Sequence, residues 1–132
     1  MNWLQIKNNA AGDIDELFIY GEIGDWWDNL DAVTLAEKIK ASKADTIRVR
    51  VNSGGGNVFT ALSAYSLLKT SGKKIETFVD GICASAATFF LCAASKVTMT
   101  LGGQIMIHDP LTYAYGNAKE LRKIADVLDN VG

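Results

Sequence analysis

The sequence predicts an α/β fold, with mostly parallel strands joined by helices. Three observations predict it. Runs with period-two apolar alternation take turns with helix-like stretches, the links between them are short, and a glycine-rich turn stands directly after a strand-like run. Such alternation implies parallel strands covered by helices on both faces. At 132 residues, 48% of them apolar, the chain is sized for one domain with a real core.

The elements follow in order. Glu16 to Ile23 reads as a strand with a kink at Gly21, and Trp26-Trp27-Asp28-Asn29 as a loop leading to a helix from about Ala32 to Ser42. Thr46 to Val51 alternates strictly and is a strand. After it comes the turn Asn52-Ser53-Gly54-Gly55-Gly56-Asn57, then a helix from Val58 to Lys69 that Gly72 ends. Ile75 to Val79 is a further strand, Ser85 to Ala94 a helix, and Lys96 to Thr100 a short strand. Gln104 to Ile107 is a strand ending at His108. The segment Asn117 to Val131 is an amphipathic helix. Asn117 and Glu120 form a capping box, and Leu121, Ile124, Leu128 and Val131 share one stripe. In open parallel sheets ligands collect beyond the carboxyl ends of strands, where both the glycine turn and Ser85 fall.

Composition excludes several classes. A net charge of −2 leaves no basic footprint for nucleic acid. The longest apolar stretch, Ala84 to Ala94, is too short to cross a membrane, and Met1 to Lys7 shows no leader pattern. Cys83 and Cys92 read as buried free thiols of a reducing cytosol. One histidine and two scattered cysteines make no zinc site, and no cofactor is implied.

The remaining chemistry is acyl transfer. Its tetrahedral intermediate needs preorganised N–H donors, each worth about 3–4 kcal/mol. Glycine lets backbone approach a substrate closely, so Gly55-Gly56 can supply one donor and Ala86, in the first turn after Ser85, another. The same glycines also suit a plain strand-to-helix turn, although they match neither common phosphate-loop pattern. Ser85 stands among Ala84, Ala86 and Ala87, with room for a substrate, and reads either as an N-cap or as a nucleophile. The only histidine, His108, reads either as a bonded structural residue or as a general base. Asp109 is its neighbour on a strand and should face away. Asp80, Asp126 and Asp129 serve only if the fold brings them close.

Taken together, Asn52-Ser53-Gly54-Gly55-Gly56, Gly81-Ile82-Cys83-Ala84-Ser85-Ala86-Ala87 and Met106-Ile107-His108-Asp109-Pro110 resemble the proteolytic subunit of the Clp protease. They look closer still to its phage and prophage relatives, the head maturation proteases. Tyr20-Gly21-Glu22-Ile23 and Trp26-Trp27 suit that branch. The resemblance runs from about Leu17 to Val131. It implies a crotonase-like ββα spiral and a serine endopeptidase, with Ser85 as nucleophile, His108 as base, and the N–H groups of Gly56 and Ala86 as oxyanion hole. It also implies homo-oligomeric rings, possibly stacked, with residues 111–132 as a handle between them, and a polypeptide substrate met in a bacterial or phage-infected cytoplasm.

The chain departs from the family pattern in three ways. Gly54 replaces a proline, Ala86 replaces a methionine, and no residue matches the triad aspartate. That third member is expected beyond Gly132, with final helices, so the 132 residues are expected to act as a truncated form with little turnover of their own. Loss of the orienting aspartate costs on the order of 10⁴ in the serine-protease template. The N-terminal segment shows no axial-loop signature for an ATPase unfoldase. The alternatives are a non-catalytic assembly protein of the same fold and a crotonase-type acyl-CoA enzyme, for which no glutamate is well placed. A Ser–Lys peptidase, with Lys73 or Lys96 as base, is a further one that His108 argues against.

Overall fold

The computed structural model describes residues 4–7, 12–24 and 32–132; the Trp26–Asn29 loop lies outside them. The order is β1 (Leu4–Lys7), β2 (Ile14–Tyr20), α1 (Ala32–Ala41), β3 (Thr46–Ser53), α2 (Val58–Lys69) and β4 (Lys74–Ala84). A 3-10 turn (Ser85–Thr88) then leads into α3 (Phe89–Ala93), β5 (Lys96–Met99), β6 (Gln104–Met106) and α4 (Ala118–Val131). The six strands form one sheet, β1-β2-β3-β4-β5, with β6 also on β4. Only β1 is antiparallel. The expected mixed α/β fold with a mostly parallel sheet is what the chain adopts. β1 was not foreseen, although Leu4-Gln5-Ile6-Lys7 alternates with period two.

Alternation decides the two faces of the sheet. Leu17, Ile19, Ile47, Val49, Val51, Ile75 and Val79 point to one side and are buried there with Leu35 of α1, Leu68 of α2 and Phe90 of α3. Each such side chain contributes roughly 1.5–3 kcal/mol when fully buried. The intervening positions are half-buried and charged. Arg50 donates to both oxygens of Asp80, at 2.7 and 2.5 Å, and Tyr20 donates its hydroxyl to Asp80 at 2.7 Å. Arg48 lies within salt-bridge range of Glu16 and Glu76, and both arginines sit over the Phe78 ring. The helices that contribute to the core therefore cover one face. Cover on the second face, which strand–helix alternation leads one to expect, is not present among the described residues because charges occupy it.

β4 is the longest strand and does double service. Its first half pairs with β5 and its second half, Ile82–Ala84, pairs with β6. The strand was expected to end at Val79, but it continues through Gly81. Between Val51↔Val79 and Ser53↔Cys83 the register with β3 shifts, and the Asn52 side chain fills the gap by accepting from Ile82 N–H at 3.2 Å. A Cβ on Gly81 would lie 2.6 Å from Asn52 Oδ1, so a side chain there would push the Asn52 amide out of this position. The strand thus continues to Ala84 and delivers Ser85 at its carboxyl end.

The cysteines divide. Both are free; Cys83 is buried, with burial pushing its thiol up to about 11, while Cys92 is exposed, contrary to expectation. α3 is short and Cys92 lies on its outer side, whereas Cys83 points into the core from β4. At α4 the capping box forms as expected, with Asn117 Oδ1 accepting from Glu120 N–H and Glu120 accepting from Asn117 N–H. No residue of α4 is buried.

Candidate active site

Ser85 is the first residue of the turn that follows β4, and its φ is +55°. It is the single non-glycine residue among those described with a positive φ. That region is costly for a residue with a Cβ, and strain of this kind collects at functional sites. The N-cap position belongs to Ala84, and no side chain caps this turn. The capping role open to Ser85 is therefore not taken up. Its hydroxyl makes no hydrogen bond among the described residues. The chain is held from behind instead, by Thr88 Oγ1 donating to Ser85 O at 2.6 Å and by Cys83 Sγ against Ala87 O at 3.4 Å.

The glycine turn lies directly against this elbow. A Cβ on Gly55 would stand 2.7 Å from Ser85 Cβ and 3.1 Å from Ala86 N. Gly55 and Gly56 have φ of +104° and +145°, which side chains rarely tolerate. On the far side, Ile23 N–H donates to Gly55 O and Ile23 O accepts from Asn57 N–H, both at 2.9 Å. These bonds form a parallel bridge between Ile23 and Gly56, which leaves the Gly56 N–H directed away from Ile23. The Ala86 N–H is an orphan donor by position, being in the first turn.

Ser85 and His108 meet in one cleft of about 350 Å³, lined also by Ala86, Phe89, Asp109 and Pro110. Val131 and Gly132, at the end of α4, complete its wall. No hydrogen bond joins Ser85 to His108 in this structure; catalytic contacts in unliganded enzymes are commonly loose. β6 ends at Met106, so residues 107–109 are not strand and the expectation that Asp109 faces away loses its basis. Asp109 lines the cleft, and its backbone carbonyl contacts His108 Nδ1 at 2.6 Å. A carbonyl only accepts, so this contact puts the ring proton on Nδ1 and leaves Nε2 able to take one. Asp80 is spoken for on the other face, where the Arg50 guanidinium holds its carboxyl below the usual carboxylate range. Asp126 and Asp129 stand exposed on α4. Among the described residues no carboxylate is bonded to His108, and no cluster of His, Cys, Asp and Glu is arranged to hold a metal ion. Sequence reasoning missed Ser53 and Asn52 as site-shaping residues, because their partners lie about thirty positions away.

The fold and site are those of an α/β protein in which a serine elbow at positive φ abuts a glycine loop and shares a cleft with a histidine. A family model described as Clp protease matches residues 8–132, and the chain belongs to that family. It is 37% identical over 78 residues to ATP-dependent Clp protease proteolytic subunit 1 of Prochlorococcus marinus (strain NATL2A), covering 58% of this chain and 40% of that protein. Over 82 residues it is 34% identical to proteolytic subunit 2 of Synechococcus sp. (strain CC9605), covering 61% and 42% respectively. The chain thus spans less than half the length of these curated relatives. Among solved structures, a mutant ClpP1 from Listeria monocytogenes superposes with a TM-score of 0.67 at 20% identity, over 90% of this chain and 64% of the other. That match shows the fold.

Proposed function

We propose that the protein is a serine endopeptidase of the Clp proteolytic-subunit type. One observation carries the reading: Ser85 is held at φ +55°, its hydroxyl free, in the cleft that holds the only histidine of the chain. Ser85 Oγ attacks the scissile carbonyl while His108 Nε2 takes its proton. The N–H groups of Gly56 and Ala86 receive the oxyanion, and His108 then returns the proton to the leaving amine. With Nδ1 on a carbonyl, the imidazolium lacks the compensating negative charge that a carboxylate gives. A carboxylate carried by chain following Gly132 would enter beside the cleft, because Val131 and Gly132 line it.

The substrate is a polypeptide. A second cleft of about 350 Å³, lined by Val58, Phe59, Leu111 and Val127 among others, adjoins the first through Pro110 and offers an apolar side chain a place. Self-assembly into rings is supported by the large apolar side chains left exposed between Val97 and Val131, including Leu101, Ile107, Leu111, Tyr113 and Tyr115. These and residues 111–132 as a handle also fit the second reading, a non-catalytic assembly protein. The phage-type branch rests on the Tyr20-Gly21-Glu22-Ile23 and Trp26-Trp27 pattern. Among the described residues no helix is long and apolar enough to cross a membrane. A cytoplasmic site of action rests on the resemblance to the Clp proteolytic subunit.

The test is labelling with a fluorophosphonate, mapped by mass spectrometry. The adduct should fall on Ser85 in the native protein, vanish in S85A and fall at least about 100-fold in rate in H108A. A folded protein that takes no label on Ser85 sinks the peptidase reading and leaves the assembly reading in its place.

A further inference from the structure

We propose that the buried hydroxyl of Ser53 is the positioning group of the oxyanion loop. It locks the backbone of Gly54, Gly55 and Gly56 so that the Gly56 N–H faces the Ser85 cleft. The inference rests on the serine-peptidase reading and goes beyond it to a residue that touches no substrate.

The loop needs a lock. Three consecutive glycines carry the largest backbone entropy a chain of this length can have, and a donor that wanders does not stabilise an oxyanion. Ile23 bonds to one side of the loop and itself sits between Gly21 and Gly24, with φ of +94° and +75°. The Ile23 side chain is anchored in the core at 1% exposure and Gly21 N–H donates to Asn52 O at 3.1 Å, so one side of the loop is held, and the Gly54–Gly55 side needs its own tie. Ser53 supplies it. It is the last residue of β3, and at 1% exposure its side chain lies inside the protein. Its hydroxyl donates to Gly21 O at 2.6 Å and accepts from Gly55 N–H at 3.1 Å. One hydroxyl thereby ties the end of β2, the Ile23 bridge and the glycine loop to the rigid centre of the sheet. Without it the Gly55 N–H, in a buried residue, loses its acceptor.

Two substitutions separate shape from hydrogen bonding. S53A removes the hydroxyl, while S53C keeps nearly the same volume with a much weaker donor and acceptor. Amide hydrogen exchange at Gly55 and Gly56 reads the lock directly, and the fluorophosphonate rate at Ser85 reads its consequence. Wild type should protect Gly55, and both variants should speed its exchange at least about tenfold. Labelling should slow by about 10- to 100-fold, the scale of a small misplacement in a preorganised site. Adding G54A to S53A, which stiffens the loop where a Cβ meets nothing within 4 Å, should recover part of the labelling. If S53A does not fold, S53C gives the same comparison with the packing intact. Unprotected Gly55 in wild type, or folded variants that label at the wild-type rate, overturn the proposal. Protected Gly55 with Ser85 unlabelled in wild type overturns the peptidase reading, and the catalytic half of this inference falls with it.

Discussion

Replacing Gly55 by alanine tests the geometry of the site at its tightest point. The new Cβ would lie 2.7 Å from Ser85 Cβ, 2.9 Å from Ala84 O and 3.1 Å from Ala86 N, and two of these are backbone atoms that cannot swing aside. The position also has φ of +104°, which costs a residue with a Cβ about 1–3 kcal/mol. Relief of the contacts requires a shift of several tenths of an ångström between loop and elbow, an overpacking cost of about 1–3 kcal/mol. The sum, about 2–4 kcal/mol with partial relaxation, lowers the melting temperature by about 10 °C for a domain of this size. The same shift moves the Gly56 and Ala86 N–H groups apart, and misplacement on this scale costs about 100-fold in rate, or ~2.7 kcal/mol of barrier. Urea or thermal melting measures the first effect, and fluorophosphonate labelling of Ser85 the second. Gly54→Ala is the matched control. Its φ lies outside the left-handed region and its Cβ meets nothing within 4 Å, so it should stabilise by about 0.4–1 kcal/mol. A G55A protein that melts and labels like wild type would refute the close contact between loop and elbow.

Other expectations follow from the same structure. Asp80→Asn removes the bidentate Arg50 pair and should cost about 1–2 kcal/mol in urea unfolding, since the pair is only half-buried. Because the folded Asp80 carboxyl sits below its ordinary value, the stability it adds is present above about pH 4 and lost as pH falls through the folded value. Acid titration of D80N should therefore show a shallower loss of stability below about pH 4, and an unchanged slope would contradict the pairing. Alkylation of the native protein should modify Cys92 first and Cys83 only on unfolding, because Cys83 is buried with its thiol raised to about 11. Equal rates at the two, read by peptide mass, would place Cys83 outside the core.

Much of this protein is legible in local pattern. Helix α2 runs Val58–Lys69 as periodicity and its flanking residues predict, and the Asn117–Glu120 box opens α4 because both its partners lie within one turn. The strands β2 to β6 were found by their alternation or apolar runs, since a side-chain period of two is written in the sequence itself, but β4, expected to end at Val79, runs on to Ala84. The residues that face one another across the cleft also belong to motifs readable in order. Where the reading fell short, a distant residue was in control. Gly81 stays in β4 because Asn52, twenty-nine positions earlier, fills its register gap, and Asp109 reaches the cleft because β6 stops at Met106.

The sequence by itself determined the element order from β2 onward and the mostly parallel sheet, and it singled out Ser85, His108 and the glycine turn as candidates for acyl transfer, because short-range periodicity and residue chemistry are local properties. Tertiary structure alone decided that Ser85 takes φ +55° instead of capping a helix, that Gly55 abuts it, and that Ser53 ties Gly21 to the loop. It also decided that charges, not helices, occupy the second face of the sheet. These outcomes depend on which strands pair and in what register, and a register is fixed by the packing of the whole core, not by any one segment.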